Sequence, residues 1–371
     1  MKLALPLLAA LALSGCYASG TTATMPRDDA NDPAMTMDPM GVTTDAPKPS
    51  WAPDIDPQMW AVVDQLMAYG NVPYPQLTGF QARHEKTPTN AVMDLLMQTG
   101  VPPSEPQVTV NHRKITAGPS QGLLVRTYTP TGMSGPLPVV VYFHGGGWVI
   151  ADLDTYEAGA VALATQAGAV VVSVAYRQAP EDRYPAAHDD AFAAYQWVTQ
   201  NAAMIGGDPN RIALAGESAG GNLAVATAIR AREEGVAMPA AIVSVYPIAD
   251  GDVQSPSYDR YANALPLNRG GMEWFFSNYA PDWRTRSYDY VDLLEHDLAG
   301  LPPTTVINAQ IDPLEAEGGD LAQALEAAGV DVERRLYRGV THEFFGMGAV
   351  LEQAVDAQAF AADRLKEAFG M

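Results

Sequence analysis

The stretch that most restricts the fold is Arg211-Ile-Ala-Leu-Ala-Gly-Glu-Ser-Ala-Gly-Gly-Asn222. It reads as a short apolar strand from Ile212 to Ala215, then Gly216-Glu217-Ser218-Ala219-Gly220, then an Ala-rich helix to about Arg232. A serine in G-x-S-x-G between a strand and a helix sits on a tight, strained turn. The residues two before and two after it lack side chains so that strand and helix can approach. The helix that follows aims its N-terminal N–H groups and positive dipole end at the serine. A second stretch, Gly118-Pro119-Ser120-Gln121-Gly122, has the same spacing. It lies between two alternating runs, Val108 to Ile115 and Leu123 to Thr129, and reads as a hairpin connection. No helix follows Ser120, so Ser218 is kept and Ser120 rejected.

Strand-like runs surround the Ser218 turn: Val108–Ile115, Leu123–Thr129, Pro138–Phe143, Ala169–Tyr176, Arg211–Ala215, Ala241–Tyr246, Thr304–Asn308 and Val332–Tyr337. Helical patterns lie near Thr155–Gln166, Asp189–Asn201, Ser218–Glu234, Gly318–Ala328 and Val350–Ala368. The central runs are continuously apolar, as strands covered on both faces must be. A hairpin followed by βα alternation predicts an α/β fold with a mostly parallel, eight-stranded sheet, an antiparallel start and flanking helices. Residues 51–100 show helical signals at Met59–Tyr69 and Ala91–Gln98, separated by Val72 to Pro75, and are expected to form cap helices. Residues 101–371 form the main domain. Within it, the interval between Tyr246 and Leu301 lacks a clear strand and carries Tyr258, Tyr261, Trp274, Phe275, Phe276, Tyr279 and Trp283. A stretch of that length predicts a cap insert at about residues 250–295, with a helix near Gly271–Tyr279 and the aromatics as its core.

A chain of 371 residues has room for one large α/β domain with an addition. A hydrophobic share of 47% against 18% charged residues implies a substantial core. The formal net charge of -21 argues against nucleic acid and against a polybasic membrane face. The single cysteine, Cys16, excludes an intramolecular disulfide and a cysteine metal site. After Met1-Lys2 an apolar run from Leu3 to Leu13 is too short to span a membrane and reads as a signal sequence. Its end, Leu13-Ser14-Gly15-Cys16, resembles the bacterial lipoprotein lipobox. That resemblance implies a signal peptide over residues 1–15, cleavage before Cys16 and lipidation of its thiol. The product would be exported and lipid-anchored to the cell envelope, on a periplasmic or outer membrane face. Residues 16–50, rich in Thr, Met, Asp and Pro without apolar period, are expected to form a flexible tether.

Serine is a poor nucleophile at neutral pH and needs a base, which needs an orienting acid. The Ser218 turn matches the nucleophile elbow of α/β-hydrolases, where the chain order is Ser, then Asp or Glu, then His. The histidines after Ser218 are His296, in a charged segment near the insert, and His342, just after the last strand. His342 is assigned as general base. His84, His112, His144 and His188 precede the serine and fail the order. Asp312, one loop beyond Thr304–Asn308, is the expected acid, with Glu315 and Glu317 as rivals. The oxyanion of a tetrahedral intermediate needs preorganised donors. Ala219 N–H supplies one, and His144-Gly145-Gly146-Gly147-Trp148 after the third strand should supply the others. A phosphate loop is disfavoured, since neither G-x-G-x-x-G nor a Lys-Ser/Thr ending is present.

With these residues in place the chain resembles the bacterial hormone-sensitive-lipase-like esterases, the GDXG lipolytic family. The likeness covers roughly residues 100–371. It rests on His144–Trp148, Tyr176-Arg177 with Ala179-Pro180-Glu181, Tyr184-Pro185-Ala186 through Asp190, Gly216–Gly221, Tyr246-Pro247, Asp312-Pro313-Leu314, and His342 with Phe344. The resemblance implies an α/β-hydrolase fold, a helical cap, no cofactor or metal, and hydrolysis of short-to-medium acyl esters through an acyl-enzyme. It also implies that Gly146 and Gly147 join Ala219 as oxyanion donors. The sequence departs from the family at Glu217, where aspartate is common, and at Gln178, where leucine is common; the Glu217 side chain is expected to point away from the ester. A formamidase or other amide- or carbamate-cleaving enzyme on the same residues stays open, as does a non-catalytic small-molecule-binding protein. A homodimer through the last strand, Val332–Tyr337, as a free sheet edge is likewise open.

Overall fold

The computed structural model describes residues 41–100, 107–118 and 122–371. The expected signal peptide, Cys16, the first part of the tether and Ser120 lie outside the described residues. Eight strands form one sheet: β1 Val108–Ile115, β2 Leu123–Pro130, β3 Leu137–Phe143, β4 Val170–Ala175, β5 Gly207–Glu217, β6 Ile242–Val245, β7 Thr304–Ile311 and β8 Val332–Thr341. Their order is β1-β2-β4-β3-β5-β6-β7-β8. The pairs β1–β2 and β2–β4 are antiparallel, and every pair from β4–β3 to β7–β8 is parallel. This is the mostly parallel sheet with an antiparallel start that the apolar runs predict.

The continuous apolar strands serve two cores at once. Val139, Val141 and Phe143 of β3 enter the core under α5 (Ala186–Asn201), α6 (Ala219–Glu233) and α9 (Glu315–Ala327). Val140 and Tyr142, one residue out of phase, enter the core under α4 (Glu157–Ala167) and α10 (Glu352–Phe369). Period-two alternation sends neighbours to opposite faces, so a strand covered on both faces has no polar positions. Each such valine stabilises the fold by roughly 1.5–3 kcal/mol relative to exposure.

The N-terminal helices α1 (Pro57–Ala68) and α3 (Pro88–Thr99) belong to the second core, with a one-turn helix α2 (Gly79–Ala82) between them. Asp56 caps α1 by accepting from Gln58 N at 2.8 Å, and its own N–H donates to Gly339 O at 2.8 Å. Residues 41–50 correct the expected tether, which ends before residue 50. Val42 is buried, Thr44 donates to Asp64 at 2.6 Å, and Trp60 Nε1 donates to Ala46 O at 2.9 Å. Specific contacts, to which Lys48 Nζ adds a bond to Ile55 O at 2.5 Å, order a segment whose composition carries no helix or strand period.

The insert between β6 and β7 carries α7 (Pro256–Arg260) and α8 (Arg269–Tyr279). Its Tyr258, Phe276 and Tyr279 are fully buried and share one core with α5, α6 and α9. The insert therefore continues the core of the main domain instead of forming a separate layer. Strand order reverses between β3 and β5: β4 lies on one side of β3 and β5 on the other. Crevices at such reversals, outside the carboxyl ends of the strands, are where open α/β sheets bind ligands.

Candidate active site

The loops after β3 and β5 flank that reversal. β5 runs to Glu217, further than the apolar run suggests, and α6 begins at Ala219. Ser218 alone makes the turn, at φ 58° and ψ -119°, a conformation that costs a non-glycine residue about 1–3 kcal/mol. The flanking glycines have a direct steric reason. A Cβ on Gly216 would fall on Gly220 O, and one on Gly220 would fall on Phe143 O. Strand, turn and helix are in backbone-to-backbone contact at these positions. Ser218 N donates to Val245 O at 2.8 Å, which ties the turn to β6.

His342 follows β8 and Asp312 follows β7, so both reach the same end of the sheet. His342 Nε2 lies 2.9 Å from Ser218 Oγ, and His342 Nδ1 lies 2.6 Å from Asp312 Oδ2. Leu314 N donates to Asp312 Oδ1 at 2.9 Å and fixes the carboxylate. All three side chains are buried. The rivals are engaged elsewhere: Glu315 pairs with Arg334 at 2.7 Å, Glu317 accepts from Ala249 N at 3.0 Å, and His296 stacks on Tyr290. Burial alone would pull the His342 pKa down, but the charge of Asp312 and its hydrogen bond outweigh it and raise the value above 6.5.

The glycine loop completes the floor. Gly146 and Gly147 have φ 96° and 58°, a region open to glycine. A Cβ on Gly146 would meet Ile150 O, and one on Gly147 would meet the Phe275 ring of α8. Among the described residues, the N–H groups of Gly146, Gly147 and Ala219 have no acceptor. Gln178, whose departure from the family has no reading in sequence, donates to Ile150 O and Ala151 O at 2.8 and 2.9 Å. Tyr176 Oη donates to His144 O at 2.8 Å. Together they hold the loop from both ends.

Glu217 and Tyr246, already noted in sequence, are joined at the site by Tyr142, Tyr156, Gly159 and Glu343, which were not singled out there. Glu217 is buried beneath the elbow, where Tyr142 and Tyr246 both donate to it, as the expected direction away from the ester requires. Burial raises its pKa to about 7 despite the two hydrogen bonds. Gly159 of α4 makes room for that carboxyl, since a Cβ there would collide with it. The Tyr246 ring packs against His342 with centroids 4.6 Å apart. Finally, Glu343 lines the cavity beside His342 and Ser218, and its Oε1 accepts from Tyr156 Oη at 3.0 Å. Tyr142 and Tyr246 sit within apolar runs and look like core, and neither Tyr156 nor Glu343 lies in a local pattern that marks it. Among the described residues, no group of three His, Cys, Asp or Glu is placed to hold a metal ion.

The cavity above Ser218 is walled by Tyr74, Thr87 and Pro88 from the N-terminal helices and by Leu267, Met272 and Phe275 from the insert. Its free volume is about 30 Å³. A family model described as the alpha/beta hydrolase fold matches residues 140–346. The chain belongs to this α/β-hydrolase family. The likeness to hormone-sensitive-lipase-like enzymes read from the motifs is thereby borne out. Carboxylesterase NlhH of Mycobacterium tuberculosis is 36% identical over 329 residues, covering 85% of this chain and 97% of that protein. Ethyl acetate hydrolase of Pseudomonas putida is 34% identical over 267 residues, covering 70% of this chain and 82% of that protein. A crystal structure of a thermostable esterase from Pseudomonas putida superposes with a TM-score of 0.77 at 33% identity, covering 85% of this hydrolase and 98% of that chain.

Proposed function

We propose that this hydrolase is a carboxylesterase that cleaves short-to-medium acyl esters through a covalent acyl-enzyme. The observation that carries the reading is the continuous line Ser218 Oγ, His342 Nε2, His342 Nδ1, Asp312 Oδ2, with separations of 2.9 and 2.6 Å. Ser218 Oγ forms the bond to the ester carbonyl carbon while His342 Nε2 takes its proton. Asp312 holds the imidazole in register and stabilises the imidazolium that forms; the raised His342 pKa has the same origin. The N–H groups of Gly146, Gly147 and Ala219, which have no acceptor among the described residues, receive the oxyanion. The alcohol departs with the proton from His342. Water then attacks the acyl carbon, gives a proton to His342, and the carboxylic acid leaves as Ser218 regains it. The names of the relatives, carboxylesterase and ethyl acetate hydrolase, support ester substrates.

The test is covalent labelling with a fluorophosphonate together with p-nitrophenyl butyrate turnover. Ser218→Ala is expected to lose all label and about 10⁶ in turnover. Retained labelling or substantial turnover removes Ser218 from the role.

A further inference from the structure

Among the described residues, Glu343 is the one carboxylate that lines the cavity, and no lysine or arginine lines it. It is held in a left-handed conformation, φ 67°, immediately after His342. One oxygen accepts the Tyr156 hydroxyl, and among the described residues the other has no donor. A charge in a half-enclosed apolar cleft without a counter-ion is costly to maintain. Burial accordingly raises its pKa, against the opposing influence of His342 and the Tyr156 hydrogen bond. Two aromatic rings close the same cavity: Tyr74 and Phe275 pack together with centroids 5.3 Å apart. Glu343 lines the same cavity as these two rings. An unpaired carboxylate beside aromatic faces is the chemistry that recognises ammonium groups.

We propose that Glu343, with the Tyr74 and Phe275 rings, forms a cation subsite of the acyl-transfer cavity, selecting esters that carry an ammonium group and rejecting esters that carry a carboxylate. The assignment rests on the esterase reading above. The protein's net charge of -21 acts in the same sense at longer range, drawing cations toward the site.

The experiment compares acetylcholine with its uncharged isostere 3,3-dimethylbutyl acetate at mildly alkaline pH. Intrinsic differences between the two esters cancel when the ratio of their kcat/KM values is compared between variants, so the change in the ratio reports the charge. The ratio in the unsubstituted protein is expected to exceed that in Glu343→Gln by about tenfold, the scale of one desolvated cation contact. A ratio unmoved by the substitution overturns the cation subsite. A second measurement needs no variant: acetylcholine is expected to be turned over at least about tenfold better than 3-acetoxypropionate. Equal turnover of those two esters overturns the assignment as well. If even 3,3-dimethylbutyl acetate is inert and Ser218 does not take up fluorophosphonate, the esterase reading falls and takes the subsite with it. Turnover of the neutral ester with a charge-blind ratio removes the subsite alone.

Discussion

The floor and the roof of the cavity are made by different means. The floor is set by backbone: Gly216, Gly220, Gly146 and Gly147 are glycines because a Cβ at each would meet another group. The roof is set by side chains from two distant segments, Tyr74, Thr87 and Pro88 on one side and Leu267, Met272 and Phe275 on the other. Tyr74 stacks on Trp274 at 5.4 Å, and Trp274 Nε1 donates to Leu77 O at 3.0 Å, so the two segments are joined directly. A floor built from steric exclusions tolerates almost no substitution. A roof built from packed side chains can be remodelled.

The difference can be tested at several strengths. Asp312→Asn keeps the shape but removes the charge that orients and stabilises the imidazolium, and should lose about 10⁴ in kcat. Because Asp312 raises the His342 pKa, the acid limb of kcat/KM should also move to lower pH in this variant. A mild effect there, with a severe one at Glu315, would transfer the role of acid. Next in size, Gly146→Ala forces a side chain into φ 96° and onto Ile150 O. Loss of that donor should lower kcat by about 10²–10³ with KM little changed. On the roof, Phe275→Ala should shift the hexanoyl-to-acetyl preference by about tenfold while leaving acetyl turnover within severalfold. Should it reduce acetyl turnover as much as Gly146→Ala, floor and roof would not be separable.

The smallest effect concerns the layer below the floor. Glu217 carries a pKa raised from 4.5 to about 7 in the folded protein. A group raised on folding contributes stability that is fully present below pH 4.5 and is lost as pH rises toward 7. Glu217→Gln should flatten that part of the melting-temperature profile. Parallel profiles for the two proteins would mean that Glu217 titrates alike in both states.

The sequence makes the floor legible because steric rules act over a few residues. The spacing Gly216-x-Ser218-x-Gly220 and the run Gly145–Gly147 mark it without any tertiary knowledge. The central strands were legible for a similar reason, since burial on both faces leaves them apolar, whereas the edge strands β1 and β8 are largely polar. Strand limits were less so: β5 extends to Glu217 because its backbone still pairs with Val245 of β6 there, which no apolar run reveals. The roof was visible only as two regions with helical or aromatic character. Which of their residues face Ser218 depends on contacts spanning some two hundred positions, such as Tyr74 with Trp274. Glu343 was passed over because a lone acid after a histidine has no local pattern to mark it.

The path by which the chain enters the body carries a mechanical consequence. Thr44 and Ala46 are fastened to α1, and α1 is fastened through Asp56 to Gly339 on β8, the strand that leads to His342. Tension on the polypeptide ahead of residue 41 is therefore passed along α1 to the histidine's own strand. An immobilisation or fusion at that end loads the working end of the enzyme, whereas attachment after α10 does not lie on this path.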